Sequence, residues 1–126
     1  LIIIDPFIYT EDEKCISLFI KMISSLSGEL KTLTIFSNKR ASLKKGPIHA
    51  ALFEKLPHVS VKNVVTDFFH DRFWLDPSNQ KGIVIGTSLN GIGKKLALID
   101  NIDRNDVITI SSQAIQIEEN INTDKS

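Results

Sequence analysis

Apolar positions along the chain fall into short unbroken runs and into stripes of helical period. Leu1 to Ile4 is a continuous apolar run that stops at Asp5-Pro6. Runs of this kind fit strands buried on both faces, as in parallel sheets. Thr10-Glu11-Asp12-Glu13 has the spacing of a capping box, so a helix is predicted with Thr10 accepting from an early amide and Glu13 reaching back. Ile16, Phe19, Ile20, Ile23 and Leu26 then recur at helical spacing, and Gly28 is placed to end the helix. Leu33 to Ser37 predicts a second strand, and the order strand, helix, strand implies a right-handed parallel crossover.

The stretch from Asn38 to Gly46 reads as a polar, basic loop. Pro47 to Leu56 reads as a helix with proline in its first turn. Val59 to Val65 is β-branched and predicts a third strand. The pattern then changes to a hairpin: a strand over 69–76, the turn-rich Asp76-Pro77-Ser78-Asn79-Gln80-Lys81-Gly82, and a returning strand over 82–88. A register with Asp76 opposite Gly82 would set His70 opposite Ser88 on one face. Residues 94–100 predict a further strand and 111–121 a helix, while Val107 to Ile110 fits either state; 122–126 reads as a frayed end. The expected fold class is α/β, a mixed and largely parallel sheet flanked by helices.

The chain has 126 residues, 42% of them hydrophobic and 24% charged, which suits one soluble domain with a single core. It enters its first strand without a preamble, and the expectation is one domain, 1–126, excised from a longer chain. Formal net charge is zero, so an anionic partner must be met by a local cluster of cations. Cys15 is the lone cysteine and has no internal disulfide partner, pointing to a reducing compartment and a cytoplasmic location. No apolar run approaches the ~18 residues that a membrane-spanning helix needs.

Chemistry concentrates in 69–95. On the strand reading His70 and Arg72 share a face with Trp74, and Ser88 and Asn90 continue the even-numbered face of the next strand beyond Gly86. An imidazole, a guanidinium fork, a hydroxyl and a carboxamide make a set suited to phosphate, with Lys94 a further cation. Gly86, Gly91 and Gly93 would let backbone approach such a ligand. The plainer alternative pairs His70 with Asp71 or Asp67 and stacks Arg72 on Trp74 as a surface cation. A P-loop does not fit Gly86 to Lys95: Ser88 stands where its first glycine belongs, and Lys95 where a magnesium-binding hydroxyl belongs. Lys39, Arg40, Lys44 and Lys45 either extend an anion-binding surface or form a solvated loop. His49 and His58 have no carboxylate or cysteine at ligand spacing, so they read as structural and no metal or cofactor is expected. Asp5 is a further candidate at the carboxyl end of the first strand, where open α/β sheets gather ligands.

At these positions the sequence resembles the phospholipase D-like superfamily, whose signature is His-x-Lys, an Asp soon after, and a downstream Gly-Ser-x-Asn type segment. The matching residues are His70-Asp71-Arg72, Asp76, and Gly86-Thr87-Ser88-Leu89-Asn90. The triplet is also similar to that of the phospholipase D-like C-terminal domain of MIT-domain trafficking proteins. The resemblance implies a phospholipase D-like fold and a metal-independent phosphodiesterase or nuclease-like activity. In it His70 would be the nucleophile, Arg72 and Asn90 would hold phosphate oxygens, and Ser88 would support them. It equally fits a phosphate-binding module for nucleic acid or phospholipid headgroups. One motif per chain implies a homodimer or a partner domain that brings the second histidine. The chain departs from the family in three places: Arg72 for lysine, Asp76 one position early, and Lys94 and Lys95 after Asn90 where an acid is usual.

Overall fold

The structure, a computed structural model, describes residues 1–6, 8–25, 29–85 and 99–125. Among them, six strands form one mixed sheet: β1 (Ile2–Ile4), β2 (Thr32–Ser37), β3 (Ser60–Val65), β4 (Arg72–Asp76), β5 (Lys81–Ile85) and β6 (Ile99–Asn101), in the order β3-β2-β1-β4-β5-β6. β1, β2 and β3 are parallel; β4, β5 and β6 each join antiparallel. The sheet grows from β1 toward β3 and then from β1 the other way. The carboxyl end of β1 and the amino end of β4 therefore meet at its middle.

Helices α1 (Glu13–Ser24), α2 (Lys39–Ser42), α3 (Gly46–Lys55) and α4 (Arg104–Lys125) complete the described elements. Strand alternation divides the core in two. On one face Ile3, Leu33 and Ile35 meet Cys15, Phe19 and Ile23 of α1 and Ile48 and Leu52 of α3. On the other, Ile2, Ile4, Phe36, Val64 and Leu75 meet Val107 and Ala114 of α4. β1 is buried on both faces, as its unbroken apolar run predicts. Trp74 belongs to the first face, edge-on to Phe19 at 5.9 Å between ring centroids, so it is core packing and not a surface stack under Arg72.

Several expectations are corrected. α1 starts two residues later than a Thr10 cap would place it: Asp12 is the cap and accepts from Lys14 N at 2.9 Å, while Thr10 Oγ1 accepts from Asp12 N at 3.1 Å. A carboxylate suits that position because it meets both the unpaired amides and the positive helix end. The basic loop after β2 contains the single-turn helix α2, capped by Asn38, whose Oδ1 accepts from Ala41 N at 2.7 Å. Residues 107–110 are helical, part of α4, because Val107 and Ile110 fall on the stripe that covers the sheet.

The hairpin register is shifted by one: Asp76 pairs with Lys81 and Leu75 with Gly82. The turn causes it. Asp76 Oδ2 accepts from Asn79 Nδ2 at 2.7 Å, Gln80 N donates to Pro77 O at 3.2 Å, and Gln80 takes a left-handed φ of 54°. The turn therefore closes over 77–80 and uses one residue fewer than expected. Gly82 is not a turn residue but a close-packing one, since a Cβ there would lie 2.8 Å from Leu75 Cδ2 and 3.1 Å from the Trp74 carbonyl oxygen. The expected helix stop at Gly28 lies outside the described residues.

Candidate functional site

Each of the three parallel strands runs out into a short polar pair: Asp5-Pro6 after β1, Ser37-Asn38 closing β2, and Thr66-Asp67 after β3. Backbone bonds knit these ends together, with Asp5 N on Phe36 O at 3.0 Å, Thr66 N on Ser37 O at 2.9 Å and Asn38 N on Pro6 O at 3.3 Å. Beyond them opens a cleft of about 230 Å³ walled by Pro6, Asn38, Asp67, Phe69 and His70. It lies at the carboxyl end of the parallel strands, the place where α/β sheets present ligand sites.

His70 is exposed and lies in the chain leading to β4, which begins only at Arg72. The expectation of His70 inside a strand, directly opposite Ser88, is thus corrected at its near end: strand pairing stops at Arg72 opposite Ile85. No ion pair joins His70 to Asp67 or Asp71 among the described residues. Phe69, one position earlier, explains the geometry. It turns inward and packs edge-on to Phe36 at 6.0 Å, anchoring the approach to β4 and leaving the next side chain at the cleft rim.

Arg72 takes another direction. In the β1–β4 pairing Ile4 lies opposite Phe73, so Asp5 and Arg72 are the next neighbours along the ladder. Arg72 Nε is fully buried and approaches Asp5 Oδ1 to 3.4 Å, the two side chains being 23% and 5% exposed. The cleft walls do not include Arg72. The structure therefore brings Arg72 together with Asp5, and His70 together with Asn38 and Asp67, at one end of the sheet. Asp76 sits at the other end of β4, roughly 13 Å from Arg72 at the rise of an extended strand. There the Asn79 side-chain hydrogen bond holds its carboxyl below the usual range. Ser88, Asn90, Lys94 and the glycines at 86, 91 and 93 lie outside the described residues. What is described is where β5 delivers the chain: Ile85, its last residue, is opposite Arg72.

Sequence reasoning missed a polar network beside the Asp5–Arg72 pair. Tyr9 Oη donates to Asn63 Oδ1 at 2.7 Å and lies 2.8 Å from His49 Nε2, while Ser37 Oγ donates to the same Asn63 oxygen at 3.0 Å. With the phenol proton directed at Asn63, the Tyr9 oxygen accepts from His49 Nε2–H, which fixes the tautomer of the neutral ring. Burial pushes the Tyr9 phenol above its ordinary range, and burial followed by the Lys45 charge holds His49 below its ordinary value. The network ties the loop after β1 to β2, β3 and α3. The signal that could have disclosed it is Asn63 in the middle of a strand otherwise β-branched or surface-facing, since a part-buried amide calls for partners.

Four basic side chains at the start of the α2–α3 segment, Lys39, Arg40, Lys44 and Lys45, are all exposed. Among the described residues no cluster of three or more His, Cys, Asp or Glu is placed to hold a metal. No described helix is long and apolar enough to cross a membrane. Comparison with protein-family models and with curated proteins gives no match to the chain.

Proposed function

We propose that the chain is a phospholipase D-like domain that acts on a phosphodiester, with His70 as nucleophile. Arg72 and Asn90 hold the phosphate oxygens and Ser88 and Lys94 add contacts. The observation that carries this reading is the exposed His70 imidazole at the rim of a cleft, at the carboxyl end of the parallel strands and two positions ahead of a buried-edge arginine. The one-residue register shift sets the odd-numbered residues of β5, ending at Ile85, on the face of Arg72, so the roles of Ser88 and Asn90 rest on the resemblance alone.

In the reaction, a neutral ring nitrogen of His70 attacks phosphorus and the bond to the leaving oxygen breaks, giving a phosphohistidine. A second imidazole protonates the leaving oxygen and then takes a proton from the water that releases phosphate. Each chain offers a single His-x-Arg motif, so that second imidazole comes from a second copy across a two-fold axis or from a partner domain. The cation and amide donors stabilise the charge that builds on the equatorial oxygens. The activity calls on no cofactor.

A second reading, phosphate binding without turnover, is favoured by one feature. Asp5 faces the guanidinium at 3.4 Å and offsets part of its charge, which leaves a weaker stabiliser for a transition state than a free lysine would be. Trapping separates the two. The chain is incubated with a phosphodiester labelled at phosphorus and quenched in base. Acid-labile label on protein that disappears in His70→Ala supports the phosphodiesterase. Saturable binding without label, weakened in Arg72→Lys, supports the binding module. Neither label nor binding overturns both.

A further inference from the structure

The walls of the cleft beyond β1, β2 and β3 are poorly matched to a phosphate. Among the described residues they are Pro6, Asn38, Asp67, Phe69 and His70, with a carboxylate and with neither lysine nor arginine. A phosphate lodged beside Asp67 would set two anions together. Asp67 is exposed and takes part in no ion pair or side-chain hydrogen bond among the described residues, so its oxygens stand at the cleft as free acceptors. Asn38 is oriented by its own cap. Its Oδ1 accepts from Ala41 N at 2.7 Å, and because a backbone N–H can only donate, that contact fixes which way the carboxamide points. Nδ2, with its donors, is the group left for a ligand.

The two groups follow the ends of neighbouring strands. Ser37 pairs with Val65 as the last register position of β2 and β3, and Asn38 and Asp67 lie just beyond. Neighbouring strands are about 4.8 Å apart, a span comparable to the hydrogen-bonding edge of a nucleobase. Pro6 and Phe69 supply apolar walls for the faces of a ring. At about 230 Å³ the cleft is smaller than the ~300–1,000 Å³ pockets of drug-sized ligands, giving room for one ring system and not for a whole dinucleotide. Paired acceptors beside an amide donor match the Watson–Crick edge of guanine: N1–H and N2–H donate to Asp67, and O6 accepts from Asn38 Nδ2. Adenine and cytosine offer Asp67 only an amino group, and uracil or thymine would turn a carbonyl oxygen toward it. A quaternary ammonium headgroup would meet Asp67 but leave the Asn38 donors with nothing to bind.

We propose that this cleft is a guanine subsite, in which Asp67 and Asn38 read the Watson–Crick edge of the base while the phosphodiester that carries it lies at the rim against His70. The inference rests on the phosphodiester reading of the same site and adds a base to it. Neither Asp67 nor Asn38 belongs to the His-x-Arg motif, so base preference and phosphate contact can be removed separately.

Calorimetric titration of the whole chain with the dinucleoside monophosphates GpG, ApA, CpC and UpU tests the proposal. GpG should bind about tenfold more tightly than UpU, the discrimination of one bidentate contact, with ApA and CpC between them. Asp67→Asn should bring GpG to within about twofold of UpU. It should leave UpU binding and the melting curve unchanged, because Asp67 is exposed. Asn38→Asp keeps the cap on α2 but sets a carboxylate against guanine O6, and should weaken GpG at least as much. GMP beside GpG separates the two sources of the base: equal affinities assign a free nucleotide, and tighter GpG assigns a strand. The subsite is overturned if GpG and UpU bind alike, if Asp67→Asn leaves the preference for GpG intact, or if glycerophosphocholine binds more tightly than all four. In the first two cases, binding that still weakens in Arg72→Lys leaves the phosphodiester reading standing. If none of the dinucleoside monophosphates binds, that reading fails and the subsite with it.

Discussion

Removing the Arg72 side chain should destabilise the protein more than its place at the edge of a ligand site would suggest. Asp5 is a carboxylate only 5% exposed at the carboxyl end of β1, and the guanidinium 3.4 Å away offsets part of the cost of burying it. Truncating one partner of a buried pair removes compensation from the other, at up to about 3–5 kcal/mol. Arg72 is 23% exposed, so water can partly replace it, and about 3 kcal/mol is expected for Arg72→Ala. For 126 residues the unfolding entropy is about 0.26 kcal/mol/K, and the melting temperature should fall by roughly 11 °C. Asp5→Ala alone should also destabilise. The double variant, having neither charge to strand, should lose about 1–2 kcal/mol less than the sum of the singles. Urea unfolding of the four proteins at pH 7 completes the cycle. Additivity to within ~0.5 kcal/mol would refute the pairing and return Arg72 to the status of a surface cation.

Tyr9→Phe removes the oxygen that joins Asn63 to His49 and should cost about 1–2 kcal/mol by urea titration, more than an exposed Tyr→Phe exchange. His49 has a folded-state pKa below its ordinary 6.5, so the unfolded chain binds the proton more readily. Its contribution is complete above pH 6.5 and is lost as the pH falls through the folded value; His49→Gln should flatten that limb of the urea midpoint against pH. Gly82→Val should cost about 1–3 kcal/mol by overpacking against Leu75, Ile102 and the Trp74 carbonyl, which equal midpoints for variant and parent would exclude. Asn79→Ala should raise the Asp76 pKa toward its ordinary 3.8, visible in a carboxyl-carbon NMR titration.

The parts of the fold legible in the sequence are those where one period dominates over a whole element. The Leu1 to Ile4 run, the Ile16–Phe19–Ile23 stripe and the β-branched Val59 to Val65 each have one burial solution, and the structure adopts it. Positions set by single hydrogen bonds were not legible. Asp12 and Thr10 both qualify as caps by type, and only the extended backbone at Asp12 decides between them. In the hairpin, Gly82 looks like a turn residue, yet the Asp76–Asn79 bond closes the turn earlier and shifts every later pairing by one. The site divides in the same way. That His70 and Arg72 gather near the end of β1 follows from topology, because β4 joins β1 antiparallel. That Arg72 turns to Asp5 while His70 faces Asn38 and Asp67 follows from where strand pairing stops, which a period-two reading carried three residues too far.

The most direct test of the phosphodiester cleft is an NMR titration of the isotopically labelled chain with a dinucleoside monophosphate and, separately, with glycerophosphocholine. The account predicts that at least one of them shifts the His70 ring resonances together with the Asn38 side-chain amide and the Asp67 backbone amide, and that an excess of inorganic phosphate reverses the shifts. Shifts confined to the Lys39–Lys45 segment, or a His70 ring indifferent to both ligands at saturation, would contradict it.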